Sequence, residues 1–153
     1  MGRASIKSIE RKIMSMSSHF EELGAPLTNN MWSWGAVRDS DKTLFLRVWQ
    51  DGTTKYEELG NNYYTWVTDV DNSNNSLGAS ERRSHVKLIS EGYIVYMVMC
   101  QAQDGDSVDA KQGSVKDFND KELFLGGRLV EYKGQILLEN VKRVPVRDGK
   151  PKT

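Results

Sequence analysis

From Met31 to Val146 short runs of apolar residues alternate with polar ones, and clusters of Gly, Asn, Asp and Ser separate the runs. A two-residue period of this kind commits the segment to β-structure. The runs fall at 31–37, 43–50, 62–68, 93–101, 122–132 and 135–146. In the first, alternation sets Trp32, Trp34 and Ala36 on one face. In the second, Leu44, Leu46 and Val48 share one face and Phe45, Arg47 and Trp49 the other. The polar stretch Arg38–Lys42 predicts a hairpin between these two runs, and Lys133-Gly134 predicts another between the last two. Gly126-Gly127 interrupts the run at 122–132, which points to a bulge, a barrel corner or a close backbone approach. Val115–Asn119 is read as a helical turn.

Two segments carry helical signals. Over Ser5–Leu23 the residues Ile6, Ile9, Ile13, Met16, Phe20 and Leu23 form one stripe, with Gly24 as a cap and Pro26 barring continuation. The stripe predicts packing on the core, or a seam for a second copy or a partner. Ser80 is read as the N-cap of a helix over Glu81–Glu91, which Gly92 stops. The expected fold class is α+β: a small bent antiparallel sheet or open β-barrel with two helices. All of 1–153 forms a single domain, with the N-terminal amphipathic helix at 1–24, the β-rich core at 31–146 and a charged tail at 147–153.

A chain of 153 residues buries enough surface to fold without disulfides or metals. Lys+Arg and Asp+Glu are both 21, so any attraction to nucleic acid rests on a local patch rather than on net charge. The one cysteine, Cys100, lies in the apolar run Tyr93–Cys100. A buried structural thiol in a reducing cytoplasm is expected. The first residues lack a secretory leader, and the longest apolar run is far too short to span a membrane.

No nucleotide-binding loop, nucleophile elbow or C-x-x-C pair is present, so no catalytic residue is assigned and no cofactor is implied. The two histidines, His19 and His85, have no zinc spacing. The pairs Asp69/Asp71 and Asp104/Asp106 do not continue as a calcium loop, so no metal site is assigned. Two features do suggest a binding surface. All four tryptophans (Trp32, Trp34, Trp49 and Trp66), with Tyr63 and Tyr64, fall in one stretch. Such a set exceeds what a small core hides, and indoles stack well on flat bases or cations. In Ser80–Lys87 the cations Arg82, Arg83, His85 and Lys87 crowd a helix start, where they oppose the macrodipole unless an anion meets them. The alternative is a solvated face paired with Glu81 and Glu91.

The segments Trp32–Ala36, Leu46–Asp51, Glu81–His85 and Cys100-x-Ala-x-Asp104 resemble N-terminal domains attached to HNH-type nucleases of bacterial restriction systems. Gly92 followed by a hydrophobic strand is similar to PUA-like small barrels, the group of EVE, YTH and SRA-type readers. The resemblance covers Leu23–Val146. It implies a pocket for a flipped or modified base, while the nuclease's histidine and metal ligands are not seen after the domain, so a separate nuclease partner is implied. The expected function is a DNA- or RNA-binding module of a restriction–modification type, with Trp32, Trp34, Arg47, Trp49, Tyr64, Trp66, Arg82, Arg83 and His85 as its contacts. The alternative is a protein-interaction or immunity-type module, or a homodimer formed through the N-terminal helix.

Overall fold

The computed structural model describes residues 15–102 and 115–151. Ile6, Ile9 and Ile13 of the N-terminal stripe and the acidic pair Asp104/Asp106 lie outside the described residues. Helix α1, Met16–Glu22, is capped by Ser15, whose hydroxyl accepts from Ser18 N at 3.1 Å. Its Phe20, with Leu23 just beyond it, is fully buried, so the described part of the stripe faces this chain's own core rather than a partner.

Strands β1 (Gly35–Arg38), β2 (Thr43–Trp49), β3 (Thr53–Tyr56), β4 (Asn62–Asp69), β5 (Ile94–Ala102), β6 (Val115–Phe118), β7 (Glu122–Tyr132) and β8 (Gln135–Pro145) form one sheet. Its order is β1-β2-β5-β7-β8-β4-β3, with β6 beside β5. The fold is therefore α+β with an open mixed sheet that does not close into a barrel. Every pairing is antiparallel except β2 with β5, which run parallel in register from Thr43↔Ile94 to Trp49↔Cys100. That pair needs a long crossover, supplied by β3, β4 and helix α2, Leu77–Ser90.

Both predicted hairpins form. Lys133 and Gly134 have φ of 50° and 81°, the left-handed pair a two-residue hairpin turn requires. The register of β7 on β8 shifts at Gly126, as the paired glycines suggested. A β-carbon at Gly126 would sit 2.7 Å from side-chain atoms of Leu138 and Val95, so close packing fixes glycine there. Three local expectations are corrected. The first strand begins at Gly35, so Trp32 and Trp34 precede it in a turn-rich segment. Val115–Phe118 is a strand, not a helical turn, because it finds the free edge of β5. The helix read from Glu81 begins at Leu77 with Ser76 as its cap, its hydroxyl accepting from Ala79 N at 3.2 Å.

The strand period divides β5 between two cores. Val98 and Cys100 join Phe20, Leu23, Phe45 and Leu123 against α1. Val95, Met97 and Met99 join Leu44, Leu46, Val67 and Leu138 inside the curve of the sheet, where Val86 and Ile89 of α2 pack against them. Strands covered on both sides read as continuous apolar runs, as Tyr93–Cys100 does. No helix among the described residues is long and apolar enough to cross a membrane.

Candidate binding cleft

Five of the predicted residues, Trp34, Arg47, Trp49, Trp66 and Arg82, converge on one cleft; Val48, Cys100 and Val115 complete its lining. Six pieces of chain meet there, β5 and β6 through Cys100 and Val115. Trp34 comes from the turn before β1, Arg47 and Trp49 from the end of β2, Trp66 from the middle of β4, and Arg82 from the second turn of α2. The interior leaves about 30 Å³ for the centre of a water-sized sphere, room on the scale of a water molecule rather than of a base.

Arg82 organises the cleft. It is 2% exposed, and its guanidinium donates to the carbonyl oxygens of Val67 at 2.7 Å, Trp34 at 3.0 Å and Arg47 at 2.5 Å. Val67 lies where β4 slips against β8, between the pairs Trp66↔Leu137 and Thr68↔Ile136, and Arg82 supplies a donor to its carbonyl there. The Trp34 carbonyl also accepts from Arg47 N at 2.7 Å. The guanidinium sits 5.5 Å from the Trp34 ring centroid, which adds a cation–π contact. Burial pushes the Arg82 pKa down to about 9, with Arg47 adding to the depression, and the group stays charged at neutral pH. Arg82 thus holds the ends of α2, β2 and β4 together through carbonyls. The two nitrogens Arg47 Nε and Arg82 Nε are buried without a hydrogen-bond partner.

Trp34 is 9% exposed and fixed from both sides. Its N–H donates to Glu81 Oε1 at 2.8 Å, while Glu81 Oε2 accepts from Ser33 Oγ at 2.9 Å. Glu81 therefore spends its hydrogen bonds on the tryptophan loop, while its charge still favours the charged form of Arg82. Gly78 lets the indole pack flat on α2, since a β-carbon there would lie 2.5 Å from Trp34 Cε2 and closer still to Nε1. Trp66 is half-buried and donates from Nε1 to Asp69 Oδ1 at 2.9 Å. Trp49 is also half-buried and makes no hydrogen bond among the described residues; it leans on the α1 core.

The other predicted contacts lie elsewhere. Tyr64 is fully buried, its hydroxyl accepting from Arg128 Nη2 at 2.5 Å and its ring edge-on to Tyr56. His85 is 7% exposed and is not part of this cleft's lining; burial and the neighbouring Arg82 push its pKa down to about 4, so it is neutral at pH 7. Arg83 lines a small hollow on the far side of Trp34 and Trp66, where its guanidinium donates to Asn74 O at 2.9 Å. Trp32 is half-buried in the turn before β1. The premise that cations crowd a free helix end is corrected. With the cap at Ser76, the first N–H groups of the helix belong to residues 77–79, that of Ala79 being taken by the Ser76 hydroxyl, and Arg82, Arg83 and His85 sit further along the helix.

Sequence reasoning missed a larger concavity, a groove of about 660 Å³ on the inner side of the sheet. Its walls come from the ends of β5 and β7, the middle of β8 and the start of β4, and include Tyr63, Gln101, Phe124, Asn140, Lys142 and Arg143. The adjacent runs 117–119 and 140–143 both line it, but neither run by itself tells which distant strands it will face. Among the described residues no cluster of His, Cys, Asp and Glu is placed to hold a metal. Comparisons with protein families, curated proteins and solved structures give no match.

Proposed function

We propose that this domain is a nucleic-acid-binding module of the PUA-like reader kind, in which the tryptophan cleft takes one unstacked base. The observation that carries the reading is the convergence of three indoles from separate chain segments on two guanidiniums whose Nε atoms lack acceptors. Stacking planes beside unmatched N–H donors suit a flat ring bearing carbonyl oxygens. Both guanidiniums also hold backbone carbonyls, Arg82 those of Val67, Trp34 and Arg47 and Arg47 that of Ser33 at 2.8 Å, but leaving their Nε donors buried and unmatched costs about 1–3 kcal/mol each.

The cleft is too narrow for a base as it stands, so binding requires one wall to turn. Trp34 is held by Glu81 through its backbone and Trp66 by Asp69 through its indole, whereas Trp49 has no such tether. Trp49 is the wall that moves, and its fluorescence reports the event. Extruding a base from a duplex costs a few kcal/mol, so single strands or destabilised pairs bind first. The domain is expected to act with a separate nuclease in a restriction setting.

Titrating the full chain with plain and base-modified oligonucleotides, followed by tryptophan fluorescence and calorimetry, tests this. Binding tighter than about 10⁻⁴ M is expected, with Trp49→Ala weakening it by about 1–3 kcal/mol. Absence of binding at that concentration, or a Trp49→Ala variant that binds as the parent does, overturns the reading.

A further inference from the structure

We propose that the groove on the inner side of the sheet is a second binding site, built for a single nucleotide unit carrying one phosphate: the neighbour of the base held in the tryptophan cleft. Only the word neighbour rests on the proposed function; the groove's own chemistry stands apart from it. Its volume, about 660 Å³, is within the range of roughly 300–1,000 Å³ typical of small-ligand pockets, and the mouth of a curved sheet is a common place for one.

The lining separates into three kinds of group. Phe124 and Tyr63 supply ring faces, and Tyr63, near the start of β4, is 54% exposed beside buried Tyr64. Carboxamides supply paired donors and acceptors. Asn119 spends its own on Lys121 and Glu122, and Gln50 and Gln101 bond each other at 3.2 Å. The half-buried Asn140 carboxamide has no partner among the described residues. A carboxamide held near a ring face is the side chain that reads a base edge bidentately.

The charges set the ligand's valence. Lys142 and Arg143 line the groove against Asp117, so the lining carries one net positive charge. Arg143 lies 5.8 Å from the Phe124 centroid and 3.5 Å from Glu122, a long and exposed pair that a phosphate oxygen can replace. Lys142 is exposed and has no ion-pair partner among the described residues. One net charge suits one phosphodiester or monophosphate better than a di- or triphosphate, whose added charges would meet Asp117 and Glu122.

The cleft and the groove share a wall. Trp49 and Cys100 line the cleft, while the next residues, Gln50 and Gln101, line the groove. The paired register Trp49↔Cys100 at the end of the parallel strands puts the linings of the two sites one residue apart on both strands. A single strand crossing the Gln50–Gln101 pair reaches both.

The test uses the full chain labelled with ¹⁵N, adenosine and thymidine 5′-monophosphates, and a short single-stranded oligonucleotide. The expected result is that a monophosphate shifts the side-chain and backbone amide signals of Gln101 and Asn140. Asn140→Asp and Lys142→Glu, both outside the two buried cores, should weaken oligonucleotide affinity by about tenfold each, equivalent to about 1.4 kcal/mol. Trp49→Ala should leave the groove signals responding to monophosphate. If that variant loses oligonucleotide binding yet keeps those shifts, both sites stand. If Trp49→Ala has no effect while the groove still responds, the cleft reading falls and the groove remains. If neither monophosphate nor oligonucleotide moves the Gln101 and Asn140 signals, or if Asn140→Asp and Lys142→Glu bind as the parent does, the groove is not a nucleotide site.

Discussion

Replacing Arg82 by Met removes a charged fork that joins α2 to β2 and β4, and its effect follows from what each carbonyl has left. The Trp34 oxygen keeps the Arg47 N–H at 2.7 Å. The Val67 and Arg47 oxygens lose a charged donor at 2.7 and 2.5 Å. Two buried acceptors left short cost about 1–3 kcal/mol each, or about 2–6 kcal/mol together. Methionine recovers part of this, because a fully buried cation no longer has to be kept from water. A net loss of about 3 kcal/mol is expected. With a urea slope of about 1–3 kcal/mol per M for a small domain, the unfolding midpoint should fall by about 1–3 M. Equilibrium unfolding followed by both far-UV circular dichroism and tryptophan fluorescence measures it. Arg82→Lys provides the control: its three N–H donors share one nitrogen and cannot span the carbonyls that Nη1 and Nη2 reach separately, yet the charge stays buried, so it should be no more stable than the Met variant. A Met variant whose midpoint moves by less than about 0.3 M would show that the fork contributes nothing net, and a Lys variant that restores stability would show that charge rather than geometry matters.

Three further outcomes are expected. Gly78→Ala, which in an open helix would gain up to about 1 kcal/mol, should instead lose about 1–3 kcal/mol and alter the fluorescence of Trp34, since its β-carbon overlaps the indole; thermal unfolding reads it. His85 has a folded pKa of about 4 against 6.5 when unfolded, so the unfolded chain binds the extra proton and stability falls as pH drops from about 6.5 to 4. The loss attributable to it is about 3 kcal/mol, and His85→Gln should flatten that part of a urea-midpoint profile against pH; an unchanged profile would place the acid sensitivity elsewhere, with His19, also lowered by burial, the next group to replace. Cys100 is 1% exposed with its pKa pushed up to about 11, chiefly by burial, so a thiol reagent should label it only after denaturation; rapid labelling of the folded chain would contradict its place in the core.

Period and punctuation in the sequence determined much of the fold. The alternation at 43–50, 62–68 and 122–146, the Lys133-Gly134 turn, the glycine interruption at Gly126 and the helix stop at Gly92 each act through neighbouring residues, and each appears where local sterics demand it. Strands β3 and β6 were illegible because they are four residues long and weakly patterned; β6 is a strand because β5 offers it a free edge. The parallel β2–β5 pair was equally hidden, since no local signal records which distant strand a strand will meet. For the site, residue type announced that aromatics and cations matter, but not where they go. Trp34, Trp49, Trp66, Arg47 and Arg82 come together only because the crossover brings α2 over the ends of β2 and β4. Arg82 looked like a phosphate ligand and is a clamp on three carbonyls, a role set by burial; Tyr64 and His85 are likewise core residues. The inner groove is assembled from the short runs 117–119 and 140–143 together with single residues of β4, β5 and β7, and only the pairing of strands far apart in the chain decides that they meet.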